Sequence, residues 1–475
     1  MAMSVHKVEP KGRTVGGTEC SWCRAVRGGT GTAVLALLTS KAPDISRLQN
    51  ALQILQNSHP ILKSKLHSKE GTFSFVTSPT PFVKIQSHNI STSSKILGRN
   101  GNDTVSPFQQ ILEHELNQNT WHDPSRASHT TSSSSGSDMF VASIYAMPDA
   151  ATWVMVMRLH VAACDRTTAV SLLRELLVLM MNEEEGNIAR TEINSSEDWN
   201  KGEVGLAIED LIPGGKAKKA IWARGINVLS YSVNSLRLTN LKFHDTKNAR
   251  FSQIVRLQLN HNDTKRVLAG CKQSLIKLCG ALTAAGLMAI YSSKNSSKKY
   301  GIITLTDCRS SLEPPLSIQN FGFYHSAILN NHEIKGGESL WELAKRIYGT
   351  FANSKNNNKH FSDMADMNFL MCKAIDNPAL TQSSSLRTSI MSVFEDTVID
   401  NDGEMQREIG LEDYVGCASA HGMGPSIAIF DTIRDGRLDC VCVYPAPLHS
   451  REQMQELVNK MKAILIEGGK TYEDI

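Results

Sequence analysis

An α/β fold follows from two stretches of the sequence and from its length. From Val154 to Leu159 every residue except Arg158 is apolar, the pattern of a buried strand. After a tight link, Thr167 to Met181 carries Val170, Leu173, Leu177 and Met180 on one side, with Leu172, Leu176 and Leu179 beside them. A helix apolar nearly all round belongs inside a protein. The chain has 475 residues, enough for two or three domains, and strand-like and helix-like stretches lie on both sides of the polar run that follows Met181.

Taken in order, residues 1–13 read as a flexible leader. Ala33 to Leu38 is a compact apolar run, a buried strand or the end of a helix. Pro43-Asp44 opens a helix with Ile45, Leu48, Leu52 and Leu55 on one face, ending at His59-Pro60. Thr72–Val76 and Phe82–Ile85 are strand candidates separated by Pro79 and Pro81. Phe108, Ile111, Leu112 and Leu116 mark another helix. Residues 125–138 are a Ser/Thr-rich, solvated loop. Phe140–Met147 and Thr152–His160 are expected to pair antiparallel across Pro148-Asp149, and Thr167 or Thr168 is expected to cap the helix after them. In the second half, Ser252–Leu259 alternates as a strand, Asn262 or Asp263 caps a helix, and an apolar helix runs from about Leu275 to Tyr291. Ile302–Leu305 is a strand ending in Asp307-Cys308-Arg309, and Asn320-Phe321-Gly322-Phe323 follows a Pro-Pro turn. Ser339 caps a helix bearing Leu340, Leu343 and Ile347. Ser426–Phe430 and Leu438–Tyr444 form a hairpin across Asp435-Gly436. Ser450 with Gln453 makes a capping box for the last helix.

Composition removes several classes of function. A formal charge of +3 gives no basis for a nucleic-acid or membrane-surface role, and the Lys and Arg residues are scattered. No segment is apolar for long enough to span a bilayer, and Met1 to Gly28 lacks a signal-peptide core, so a cytoplasmic location is expected. Several of the ten cysteines sit in apolar runs, which reads as reduced thiols. Cys20-Ser21-Trp22-Cys23 has no second CxxC or His pair at zinc spacing and reads as part of a first strand and turn; no metal site is expected.

The segment His160-Val161-Ala162-Ala163-Cys164-Asp165-Arg166 resembles the HHxxxDG motif of the condensation-domain and chloramphenicol-acetyltransferase superfamily, which includes the BAHD acyltransferases. His160 falls on the first His, Val161 on the catalytic second His, Asp165 on the Asp and Arg166 on the Gly. The leucine ladder before His59-Pro60, the Asp-x-Arg strand end, the Asn-Phe-Gly turn and the closing hairpin and helix follow in the superfamily's order, so the resemblance spans about residues 14–468. It implies two related chloramphenicol-acetyltransferase-like domains, each a mixed sheet with helices, with a channel between them. The divisions are an N-terminal domain at 14–185, a crossover at 186–250 and a C-terminal domain at 251–475.

The resemblance further implies transfer of an acyl group from a coenzyme A or carrier thioester to an alcohol or amine, with acyl-coenzyme A as a possible co-substrate and no resident cofactor. Such chemistry needs a base near neutrality and a donor for the tetrahedral oxyanion. Valine at 161 has no proton acceptor. His160 lies one residue early, and on a strand it faces away from residue 161. His421, in a Gly-rich loop before a strand, is a second candidate base. Asp165, as a buried carboxylate, wants a cationic partner. Arg309 is the candidate partner, with Arg158 and Arg166 as local rivals. His160, Asp165 and His421 are thus the candidate catalytic residues, and Val161, Arg309, Asn320 and Gly322 are structural around them. Two readings follow: an acyltransferase with a non-standard base, or a catalytically silent relative that binds a ligand or a protein. The residues that bind the donor, the acceptor and the oligomeric state are not specified.

Overall fold

The computed structural model describes residues 12–99, 105–121, 136–181, 203–218, 238–291, 298–377, 385–401 and 403–471. Most of the leader, most of the Ser/Thr-rich loop and much of the crossover lie outside the described residues. The first half runs β1 (Gly12–Thr14), α1 (Gly17–Arg27), β2 (Thr30–Thr39), α2 (Ile45–Ser58), β3 (Ser64–Lys69), β4 (Thr72–Thr77), β5 (Ile85–His88), α3 (Ile90–Arg99), α4 (Pro107–Leu116), β6 (Ser137–Asp138), β7 (Phe140–Ala146), β8 (Trp153–His160) and α5 (Arg166–Met180). The second half runs β9 (Phe251–Gln258), α6 (His261–Gln273), α7 (Leu278–Ile290), β10 (Lys298–Asp307), β11 (His325–Ile334), α8 (Leu340–Asn356), α9 (Lys359–Ser362), α10 (Met364–Asp376), β12 (Arg387–Phe394), β13 (Val398–Asp400), α11 (Gly403–Ile409), β14 (Leu411–Ala420), β15 (Gly424–Arg434), β16 (Arg437–Ala446) and α12 (Arg451–Lys470).

Two mixed sheets dominate. One has the order β14-β2-β8-β7-β5; the other has the order β11-β10-β12-β15-β16-β9, with β13 on β15. A four-stranded antiparallel sheet, β1-β4-β3-β6, lies beside the first. Strand periodicity explains how the sheets pack, because alternate side chains leave opposite faces. On β2 and β8, Leu35, Leu37, Met155, Met157 and Leu159 join a core with α2 and α5. Val34, Ala36, Val154 and Val156 turn the other way, to a core shared with Ile254, Val441 and Val443 of the second sheet and with α4. On β16, Cys440, Cys442 and Tyr444 face a third core, filled by α7, α8 and α12. β14 comes from the second half of the chain but hydrogen-bonds to β2, so the second half contributes a strand to the first sheet.

Several local expectations change, each for a visible reason. Phe82 to Lys84 form no strand, because Gln56 Oε1 takes the amides of Phe82 and Val83, both at 3.0 Å, in place of a ladder. Cys20 and Cys23 lie on α1 rather than on a first strand and turn. The cap of α5 is Asp165, whose carboxylate accepts from the Thr168 amide at 2.8 Å, and not Thr167 or Thr168. Asn260, rather than Asn262 or Asp263, caps α6. The helix expected from Leu275 starts at Leu278, after a break at Leu275, where φ is 55°. Ser339 caps α8 in a full capping box with Glu342. Among the described residues no single helix is long and apolar enough to cross a membrane.

Candidate functional site

Where β2, β8 and α5 of the first half face β10, β12 and β15 of the second, they enclose a cavity of about 180 Å³. Its walls are mostly apolar, and the link from β8 to α5 contributes Val161, Cys164, Asp165 and Arg166. The link itself is a turn of 3-10 helix, Val161–Ala163. Val161 packs with Trp22, Val26, Trp121 and Phe323. Opposite it is Gly31, at φ +99°, where an added Cβ would stand 2.6 Å from Val161 Cγ1. Only glycine fits there.

Asp165 is the polar hub of the site. Arg309 grips it with both nitrogens, Nη1 to Oδ2 at 2.9 Å and Nη2 to Oδ1 at 3.1 Å. The Tyr324 amide donates to Oδ2 at 2.8 Å, and His325 Nδ1 lies 3.1 Å from the same oxygen. Burial opposes a charge here, but Arg309 and His325 together hold the carboxyl well below the usual carboxylate range. The turn at Asn320 and Gly322 is tied into the same network. The Asn320 carbonyl accepts from Arg309 Nη2 at 3.1 Å, and the Gly322 carbonyl accepts from the Asp165 amide at 3.0 Å and from Thr168 Oγ1 at 3.0 Å. The local rivals have other partners: Arg158 pairs with Glu115, and Arg166 pairs with Asp431 at 3.1 Å while lying over the Phe394 ring.

The two histidines singled out from the sequence do not line this cavity. His160 shares the strand face of Val154, Val156 and Arg158. It is 0% exposed, its Nδ1 accepts from the Ala162 amide at 3.1 Å, and Trp121 packs edge-on against its ring. Burial, with Arg27 nearby, lowers its pKa to about 3. His421 shares a hydrogen bond of 3.0 Å with Ser252 Oγ. Its Nε2 presses on Gly29, and burial with Arg387 and Arg250 lowers its pKa to about 4. Cys164 does line the cavity, but burial pushes its thiol far up, so it is core and no nucleophile.

His160 makes folding sensitive to acid. Its folded pKa lies below the ordinary 6.5, so the unfolded chain takes up the proton first and stability is lost as pH falls from about 6.5 toward 3. Between pH 7 and pH 5 this one residue should cost about 2 kcal/mol. Urea unfolding of the parent and of His160→Asn, which keeps an acceptor for Ala162, checks this. The difference between the two pH values should shrink by about that amount in the variant; an unchanged difference contradicts the assignment.

The residue that sequence reading missed is His325. Among the described residues it is the one histidine that lines the cavity. It opens β11 opposite Asp307 in register, two residues beyond the Asn-Phe-Gly-Phe turn. Phe394 meets its ring edge-on at 5.9 Å, and Phe323 lies tilted at 6.4 Å.

No family's sequence pattern matches the chain, and no curated protein is similar to it in sequence. Solved structures are similar in fold. The trichothecene 15-O-acetyltransferase from Fusarium sporotrichioides superposes with a TM-score of 0.67 at 11% identity, over 96% of this chain and 95% of that one. The epimerization domain from the third module of tyrocidine synthetase B gives 0.61 at 12% identity, over 98% and 97%. Polyketide synthase associated protein 5 from Mycobacterium tuberculosis gives 0.60 at 13% identity, over 97% and 100%. The chain therefore has the two-domain α/β fold of the condensation-domain and chloramphenicol-acetyltransferase superfamily.

Proposed function

We propose that the cavity between the sheets holds an acyl thioester, of coenzyme A or a carrier protein, and passes the acyl group to an alcohol or amine. One observation carries this reading. The cavity lies at the Asp165 link, its walls are apolar enough for an acyl chain, and a polar cluster stands at one side of it. Val161 favours the second reading, a silent relative that binds such a ligand without transferring it, because the family's base is absent from that position.

Titration calorimetry with acyl-coenzyme A of graded chain length, together with thiol release in the presence of alcohols and amines, separates the two. Binding with turnover supports transfer, and binding alone supports the silent relative. Ala169 lines the cavity from α5. Ala169→Phe should therefore weaken donor binding at least about tenfold while the melting temperature stays near the parent's. Donor affinity unchanged in a folded variant would place the ligand elsewhere.

A further inference from the structure

We infer that His325 is the general base of this site, standing in for the imidazole missing at position 161, and that Asp165 positions it. The inference rests on the acyl-transfer reading above. Three independent features of the structure meet at this residue. The first is access: His325 borders the inner cavity and also the adjoining pocket formed by Thr167, Asp307 and Val398, so it stands where a ligand entering from that side reaches the cavity. The second is orientation. Nδ1 lies 3.1 Å from Asp165 Oδ2, outside hydrogen-bond alignment but close enough that the carboxylate's charge favours the proton on Nδ1 and will stabilise an imidazolium. That leaves Nε2, on the far side of the ring, as the acceptor, and among the described residues no side chain occupies it. The third is rigidity. Phe323 and Phe394 flank the ring, Arg166 lies over Phe394 at 4.4 Å, and Asp165 is itself fixed by Arg309 and by the Tyr324 and Thr168 amides.

The step balances without a further reactant. As the acceptor oxygen or nitrogen attacks the thioester carbonyl, its proton passes to His325 Nε2. Asp165 keeps its charge and stabilises the imidazolium. When the tetrahedral intermediate collapses, the C–S bond breaks and the departing thiolate takes the proton back from Nε2. The charged groups facing the ring are Asp165, Asp307 and Arg309, with Arg166 beyond Phe394. The base thus comes from β11 in the second half of the chain, while its orienting carboxylate comes from the link in the first half.

His325→Asn tests this, because it keeps a polar group beside Asp165 while Nε2 is lost. The probe is octanoyl-coenzyme A with a panel of alcohols and amines. In a variant that melts like the parent, kcat/KM should fall about 10²–10⁴-fold. The dissociation constant for octanoyl-coenzyme A should stay within about threefold, since the base acts in the transition state and not in ground-state binding. The limb of the pH–rate profile on which activity rises with pH should vanish, and added imidazole should partly restore His325→Ala. A folded His325→Asn variant that keeps the parent's rate overturns the assignment, as does a parent that binds the thioester but never turns it over. Failure of the parent to bind the thioester at all would instead remove the acyl-transfer reading, and the base with it.

Discussion

Arg309→Ala is expected to lower the unfolding free energy by about 3–5 kcal/mol, the usual cost of breaking a buried ion pair from one side. Both side chains are almost fully buried, at 4% and 1% exposed, so water cannot replace the lost guanidinium. The loss extends beyond one pair. Arg309 also donates to the Asn320 carbonyl and to Thr168 Oγ1 at 3.1 Å, so the Asn-Phe-Gly turn loses one of its ties to the start of α5 and keeps those through Gly322. Arg309→Lys should recover little, because an ammonium cannot span both oxygens of Asp165 and the Asn320 carbonyl together. The variant should also become more sensitive to acid. Asp165 is held below the ordinary carboxylate range, so its stabilisation is present above that range and lost as pH falls through its folded value. Without Arg309 that loss moves to higher pH. Urea unfolding of the three proteins at neutral and mildly acidic pH is the measurement. A variant that unfolds like the parent would mean that the pair contributes nothing net.

How much of this was legible beforehand depended on sequence distance. The strand from Trp153 to His160 and the helix after it were plain, because each carries its own periodicity. Strand parity puts His160 and Val161 on opposite faces, but the link turns into 3-10 helix at Val161: Val161 lines the cavity and His160 does not, yet Trp121 packs against both. The partner of β14 was not legible. Period-two alternation tells which face of a strand is buried, but not which strand it pairs with. His325 was missed for a related reason. It lies far from Asp165 in sequence, and the two meet only through the register of β10 with β11 and the turn between them. The available signal was a histidine at the start of a strand, just beyond the Asn-Phe-Gly-Phe turn. His421 is the sequence's other candidate because it lies in a glycine-rich loop before a strand, whereas its ring is packed against Gly29 and Ser252.

Val161→His should let position 161, which the motif resemblance sets on the superfamily's catalytic His, act as the base. The side chain at 161 faces the cavity, on the same wall as Cys164 and Asp165, so an imidazole there meets the same ligand. General-base assistance typically contributes about 10²–10⁴-fold, and the clearest place to see it is a background from which His325 has been removed. A Val161→His, His325→Asn double variant should recover much of the turnover lost in the single His325→Asn variant. In the parent background the same change should add less, because a base is already in place and two bases on one proton are not additive. The substitution has a structural cost. The ring must fit among Trp22, Val26 and Phe323 and against the Gly31 backbone, and overpacking of this kind costs about 1–3 kcal/mol. Thermal melting and octanoyl-coenzyme A binding therefore come first, and kinetics are read only in variants that pass both. A folded double variant that binds the thioester yet recovers nothing, from a parent that does turn over, would show that the reacting carbonyl sits beyond reach of position 161. The chemistry would then have moved across the cavity to the His325 side, leaving Val161 as part of the wall that excludes water from it.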